Sequence, residues 1–331
     1  MADVAREAGV SVSTVSHVLN GTRRVSTDTR NRVLAAMTTT GFRRNALATA
    51  LVTSRTHTIG LSISALRNPY FANLVHSIEE RASARGYNLV MGDSHDDEKV
   101  EAALLGSLLD RRVDGMIVAP APHSEVTNLP HVIRDGTPVV LIDRHADVDC
   151  DQVAPDNVEP TRKITSHLLD LGHRWLAAVT GLPGIQSTDE RIRGFEAAVA
   201  HAEPAVKTTL LVGNSNATDA YREVHRTFSD ATSHPSALVV LNNAMTVGSL
   251  QALKDLGLKV PTDVALACYD DFEWADLFEP RLTAIEQNVQ DMGRTAIDLL
   301  IGRIEGNEGP RQVLRTATNY HHRNSCGCPD Y

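Results

Sequence analysis

Aromatic residues make up only 4% of this 331-residue chain, and cysteines number four. Thiols at Cys150, Cys268, Cys326 and Cys328 are too sparse for a disulfide framework, which argues against the small stapled secreted classes. No apolar run reaches the roughly 18 residues that a membrane-spanning helix needs. The first residues also lack the hydrophobic stretch of a secretion signal, so no membrane partner is expected and cytoplasmic residence is. No Gly-rich phosphate loop follows the first apolar run of the later region, at 59–64, and no G-x-S-x-G elbow occurs. Those absences argue against an enzyme on a doubly wound sheet, and no cofactor is expected.

Lysine is missing from residues 1–57, where eight Arg face three acids, a net +5. The whole chain carries −9, which leaves −14 on the remainder. A cationic module on an anionic body suits contact with phosphate through one end only, because the body would be repelled. The module has its own pattern. Val4, Ala5 and Ala8 mark one apolar stripe, and Val12, Val15, Val18 and Leu19 mark a second at helical spacing. Gly9 permits a tight turn between them, and Ser11 is placed to cap the second helix. The outer face of that helix then presents Ser13, Thr14, Ser16 and His17, short donors and acceptors able to approach base edges in a major groove. A third helix is expected at 27–40, capped by Ser26 and stopped at Gly41. Residues 45–52 have good helix formers over only about two turns, a length that is marginal alone and needs packing or binding.

At 42% hydrophobic and 22% charged, the whole chain has the balance of a globular protein, and its length calls for more than one domain. From residue 59 short apolar runs alternate with amphipathic ones. Strands are expected at 59–64, 88–92, 115–119, 139–143, 176–180, 209–212, 238–241 and 264–269. Helices are expected at 71–85, 98–111, 158–171, 189–202, 217–230, 246–256 and 290–304, with a last extended segment at 312–320. This rhythm predicts an α/β fold of parallel sheets covered on both faces, with ligands at the carboxyl ends of the strands.

The stretch from Asp3-Val4-Ala5 through Thr14-Val15-Ser16-His17-Val18-Leu19-Asn20, then Val25-Ser26 and Thr29-Arg30, resembles the DNA-binding head of the lac repressor (LacI/GalR) family. Asn68-Pro69-Tyr70-Phe71, Arg112-Val113-Asp114-Gly115, Asp156-Asn157, Leu171-Gly172-His173-Arg174, Arg191 with Gly194-Phe195, and Tyr269-Asp270-Asp271 with Pro280-Arg281-Leu282-Thr283 resemble its core in the same order. The resemblance implies a helix-turn-helix head with a hinge helix (about 45–52) in residues 1–57. It implies an effector-binding and dimerisation core in 58–331, two doubly wound α/β subdomains similar to type I periplasmic binding proteins. It also implies a transcriptional regulator, a repressor, that binds a near-palindromic operator as a homodimer under control of a small-molecule effector. Val12, Ser13 and His17 sit where the family's recognition helix meets bases, and Thr14, Ser16, Asn20 and Arg24 match positions touching backbone or flanking bases. Leu51 matches the hinge leucine that opens a minor-groove step as an apolar wedge.

For the effector, the same likeness and the strand ends together nominate Asp270 and Arg191 as a charged pair able to clamp hydroxyls. Their alternative is a salt bridge between subdomains. Asn242 and Asp156 each follow a strand, with a turn cap as the alternative for Asn242. Tyr70 and Phe71 offer a ring face, and Ser187 and Trp274 lie in the corresponding loops. A hydroxyl-seeking set of this kind suits a sugar or nucleoside. The tail from His321 to Cys328 holds soft ligands, but Cys-x-Cys is tighter than usual zinc spacing and no second ligand pair is evident. An ordinary surface tail with no metal is the expectation there.

Overall fold

Val4, Ala5 and Ala8 on α1 (Ala2–Ala8), Val15 on α2 (Val12–Asn20), and Val33 and Ala36 on α3 (Thr27–Thr40) close on one another as the core of the head. Gly9 ends α1 in the left-handed conformation at φ 63°, where a side chain would be strained, and Ser11 Oγ accepts from Thr14 N–H at 3.1 Å to cap α2. Ser26 caps α3 by accepting from Thr29 N–H. This computed structural model describes residues 1–20, 23–42, 55–230, 233–272, 274–277 and 279–328. The helix expected at 45–52, Leu51 and the side chain of Asn20 lie outside the described residues. The chain divides into two compact units, Met1–Thr56 and His57–Tyr331.

The second unit is built from two six-stranded sheets. One contains β1 (Thr58–Ile63), β2 (Asn88–Asp93), β3 (Gly115–Val118), β4 (Val139–Ile142), β5 (Asp151–Pro155) and β11 (Val313–Thr316). Its order is β11-β5-β4-β3-β1-β2, parallel throughout. The other contains β6 (Trp175–Thr180), β7 (Lys207–Val212), β8 (Ala237–Val240), β9 (Ala265–Tyr269), β10 (Thr283–Gln287) and β12 (Thr318–His321). Its order is β12-β10-β9-β8-β6-β7, parallel except where β12 runs against β10. Each sheet therefore repeats the 2-1-3-4-5 winding, whose crevice opens at the carboxyl ends of the strands.

Helices cover both faces. In the first sheet β3 sends Ile117 toward α4 (Pro69–Ala84) and α11 (Val289–Ile304), while Met116 and Val118 pack with Leu105 and Leu108 of α5 (Glu98–Asp110) and Leu129 of α6 (Leu129–Arg134). A strand buried on both faces reads as a continuous apolar run, which is why the sequence marks it. Around the second sheet, α7 (Val158–Asp170), α8 (Gln186–Ala200), α9 (Ala217–Phe228) and α10 (Asn243–Asp255) share one core that includes Phe195, Phe228 and Tyr269. The chain passes between the sheets three times: after β5, after β10 and between β11 and β12.

Two expectations change. The extended segment at 312–320 is two strands in different sheets, parted at Ala317. The tail is not a solvated surface segment either. Ser325 and Cys326 are fully buried, Leu266 N–H donates to Ser325 O, and Ser325 Oγ accepts from Thr283 N–H at 2.8 Å.

Candidate functional site

β4 and β9 end alike. Each is followed by an aspartate, Asp143 or Asp270, at φ 71°, a left-handed backbone that Asp tolerates better than most side chains. Both carboxylates are buried and line one cavity between the sheets, together with Ala65 after β1, Gly181 after β6 and Asn242 after β8. The crevice that both windings open is thus floored by acid.

Two guanidinium groups answer the acids. Arg191 on α8 donates from Nε to Asn157 Oδ1 at 2.9 Å and from Nη1 to Leu241 O at 2.7 Å, and its Cζ lies 3.8 Å from the Tyr269 ring centroid. It stands 3.8 Å from Asp270 Oδ2, near but not in a tight bond. Gln287 Nε2 donates to the other Asp270 oxygen. Arg144 donates to Asp143 at 3.1 Å, to Asp96 at 2.6 Å, to Pro120 O at 2.9 Å and to Ser64 Oγ at 3.0 Å. Tyr70 donates its hydroxyl to Asp143 Oδ1 at 2.5 Å.

Burial dominates the protonation of these groups. It raises the Asp270 carboxyl pKa above the ordinary range, although Arg191 and Gln287 pull the other way. Burial and then the charge of Asp143 push the Tyr70 phenol well up. On Arg144 and Arg191 burial works against the charge, but Asp96 and Asp143 on the one, and Asp270 first on the other, outweigh it and keep both cations firmly protonated.

Six of the eight residues nominated for the effector come together here: Tyr70, Phe71, Ser187, Arg191, Asn242 and Asp270. Arg191 and Asp270 belong to the same subdomain, so they are not a bridge between the two. Asn242 faces the cavity and also caps α10, accepting from Met245 N–H at 2.8 Å. Asp156 stands apart from these six. Its carboxylate accepts from Val158 and Glu159 N–H at the start of α7, a cap on the crossover segment, and it does not line the cavity. Trp274 lines an adjoining apolar recess with Phe272, ring centroids 4.4 Å apart, which shares Ala65, Asn68 and Ser215 with the polar cavity. The polar cavity is about 50 Å³, room for a few waters, and the recess beside it about 470 Å³.

Sequence reasoning missed Asp143, Arg144, Asp96 and Gln287. Asp143 carried the same signal as Asp270, an acid closing an apolar run. Asp96 and Asp97 directly precede the helix expected at 98–111, and Asp97 is the cap of α5, accepting from Lys99 and Val100 N–H. Asp96, at φ 55°, instead turns toward Arg144.

In the head, Val12 is 47% exposed, and Ser13 is also exposed. Val12 therefore does not pack into the head's core. Ser13 Oγ and Thr14 Oγ1 each lie 2.8 Å from the Ser11 hydroxyl, so the cap also orients them. Ser16 and His17 are half-buried on the same helix, and Arg24 is exposed beyond it.

Known proteins bear directly on this arrangement. Residues 1–45 match the bacterial regulatory proteins of the lacI family, and residues 165–326 match the periplasmic binding protein-like domain. The HTH-type transcriptional repressor PurR of Aliivibrio fischeri (strain MJ11) is 32% identical over 317 residues, 94% of each chain. The ribose operon repressor of Escherichia coli (strain K12) is 35% identical over 312 residues, 92% of each. Among solved structures, the Lac repressor dimer bound to operator and the anti-inducer ONPF matches with a TM-score of 0.85 at 26% identity, covering 98% of each chain. The complex of the transcriptional regulator CelR with cellobiose matches at 0.71 and 28%, also over 98% of each.

Proposed function

The chain belongs to the lacI family of bacterial regulatory proteins, DNA-binding transcriptional repressors rather than enzymes, and from this premise we propose that it binds a near-palindromic operator as a homodimer under control of a small hydroxyl-rich effector. Residues 1–57 read the DNA, and residues 58–331 bind the effector and dimerise. The observation that carries the effector reading is the pair of strand-end aspartates, each beside a guanidinium, in a crevice between two sheets joined by three crossovers. Acceptors and donors fixed in a buried site recognise hydroxyls with direction, while the Phe272 and Trp274 recess suits the apolar face of a ring. A sugar or nucleoside has both surfaces. A relative named as the ribose operon repressor, and a neighbour bound to cellobiose, support that class.

On the DNA side, Val12, Ser13 and His17 contact base edges, and Thr14, Ser16, Asn20 and Arg24 hold backbone or flanking bases. Leu51 wedges a central step. The exposure of Val12 supports its role, because a thymine methyl is the apolar partner available in a major groove. The operator-bound dimer among the structural neighbours supports the assembly. The protein acts in the cytoplasm, where its DNA lies, and no helix among its described residues is long and apolar enough to cross a membrane.

The test is selection of bound duplexes from a randomised pool at near-physiological salt, with and without pooled sugars and nucleosides. Enrichment of a near-palindrome with a central pyrimidine–purine step is expected, and His17→Ala should relax preference at one position per half-site while keeping most of the salt dependence. An unchanged preference in that variant would remove His17 from the base-reading set. Enrichment of single half-sites only would remove the dimer.

A further inference from the structure

A second concentration of chemistry lies away from the crevice, where the tail folds back on α7. Among the described residues, His167, His322, Cys326 and Cys328 bring one ligand atom each to within 4.8 Å of all the others. His167 comes from the last turn of α7, more than 150 positions earlier in the chain, which is why the tail's own spacing shows no second ligand pair. Cys328 Sγ and His167 Nε2 are 3.7 Å apart, and the two imidazole rings meet edge to face with centroids 4.8 Å apart.

Those separations come near to those of a tetrahedral ion. Bond lengths of about 2.3 Å to sulfur and 2.0–2.1 Å to nitrogen place a thiolate and an imidazole nitrogen roughly 3.6 Å apart across one edge. The Cys328 to His167 edge already has that length, and contraction of about 1 Å closes the widest. The short Cys-x-Cys spacing is made workable by Gly327. Its φ of 94° curls the chain so that both thiols reach one point, and Gly327 N–H closes the turn on Asn324 O at 3.0 Å.

The ligands also stand on a fixed frame. Ser325, between two of them, is bound to β9 and β10 through Leu266 and Thr283, and its N–H donates to Arg281 O. Tyr320 stacks on His322 with planes 16° apart and meets His167 edge-on. Two thiolates and two neutral imidazoles around a divalent cation sum to no net charge, which suits a site whose Cys326 is fully buried.

We propose that His167, His322, Cys326 and Cys328 form a closed Cys2His2 site for a structural zinc ion, which fastens the tail to α7 and to the strand pair behind the effector crevice. Four protein ligands leave no open position, so the ion holds structure and does not perform chemistry. The fastening has a reach. Arg323, next to His322, donates to Asp271 at 3.0 and 2.8 Å, and Asp271 adjoins Asp270 in the crevice floor. The zinc therefore steadies the backbone that carries the effector's acceptor.

The full chain, purified under reductant and stripped by chelator, is loaded with zinc, freed of excess and analysed by elemental mass spectrometry. One zinc per chain is expected. Cobalt in its place should give the strong visible bands of a tetrahedral ion together with sulfur-to-cobalt charge transfer near the ultraviolet. Cys328→Ser and His322→Gln, the less buried ligands, should each weaken zinc by at least the ~10–100-fold that loss of an outer-shell partner costs. Both variants should retain wild-type circular dichroism, which separates ligand loss from misfolding. Substoichiometric zinc, an octahedral cobalt spectrum, a wild-type affinity in both variants, or a Cys326–Cys328 disulfide in protein that takes up no zinc under reductant would each overturn the assignment.

Discussion

Asp270 is an acceptor held in a fixed direction in the crevice floor. One oxygen takes Gln287, and the other faces Arg191 across 3.8 Å because that guanidinium is committed to Asn157 and Leu241. A hydroxyl donating to that second oxygen would complete its surroundings. Hydrogen bonds to charged groups contribute about 1.5–3 kcal/mol, so Asp270→Asn should weaken effector binding roughly 10- to 150-fold while operator affinity without effector stays unchanged. Titration calorimetry checks the first and a DNA-binding titration the second; loss of both would mean a structural role instead. The pH dependence has a definite sign. Burial raises the Asp270 pKa in the folded chain, so the group's contribution to stability is present at low pH and is lost as pH rises through the folded value. An effector that donates to the carboxylate favours its ionised form. Affinity should therefore fall as pH drops through the Asp270 range, and Asp270→Asn should flatten that fall. A profile with the same slope in both proteins would assign the linkage to another group.

Between elements, the helix pairs meet at glycines. A Cβ on Gly248 of α10 would lie 2.0 Å from Ala217 O at the start of α9, and one on Gly194 of α8 would lie 2.4 Å from Val158 O at the start of α7. Both obstacles are backbone and cannot swing aside. Gly248→Ala should therefore cost about 1–3 kcal/mol, the usual range for overpacking, and lower the melting temperature by roughly 2–12 °C in calorimetry. An unchanged melting temperature would show that the two helices separate freely. These close approaches were not legible in the sequence, where a helical glycine registers only as a weak helix former. What was legible followed from burial. Strands covered on both faces, such as Val139–Ile142, declare themselves as apolar runs, whereas Asp151–Pro155 has one large aliphatic residue, and Thr283–Gln287 alternates too briefly to stand out. The acid at each strand end was readable too, but only the likeness to a family singled out Asp270. Arg144 and Asp96 depended on a turn that no local pattern predicts, and His167 joined the tail only through tertiary folding.

Across the whole core, the crevice is tied to the crossovers by one chain of polar contacts. Arg315 on β11, in the first sheet, donates to both oxygens of Glu190 on α8, in the second subdomain. Glu190 accepts from Asn157 at 2.9 Å, and Asn157 in turn accepts from Arg191 beside Asp270. Asn157 lies on a crossover, so an effector that repositions Arg191 acts on a group that joins the two subdomains. A ligand shifts a conformational equilibrium only by its difference in affinity for the two states, and a contact made in one state alone sets where that equilibrium starts. Arg315→Met removes such a contact while keeping an unbranched apolar stem. Glu190 is buried but Arg315 is 37% exposed on its side chain, so solvent screening limits the loss to about 1–2 kcal/mol. If the effector prefers this closure, its affinity should fall roughly 5- to 30-fold, and the concentration that half-changes operator binding should rise by the same factor, because coupling between two sites is reciprocal. If it prefers an open arrangement, both should move the other way by the same amount. Unchanged effector affinity would place the latch outside the switching equilibrium, and a change in effector affinity without the matching change in operator response would break the proposed path from crevice to DNA.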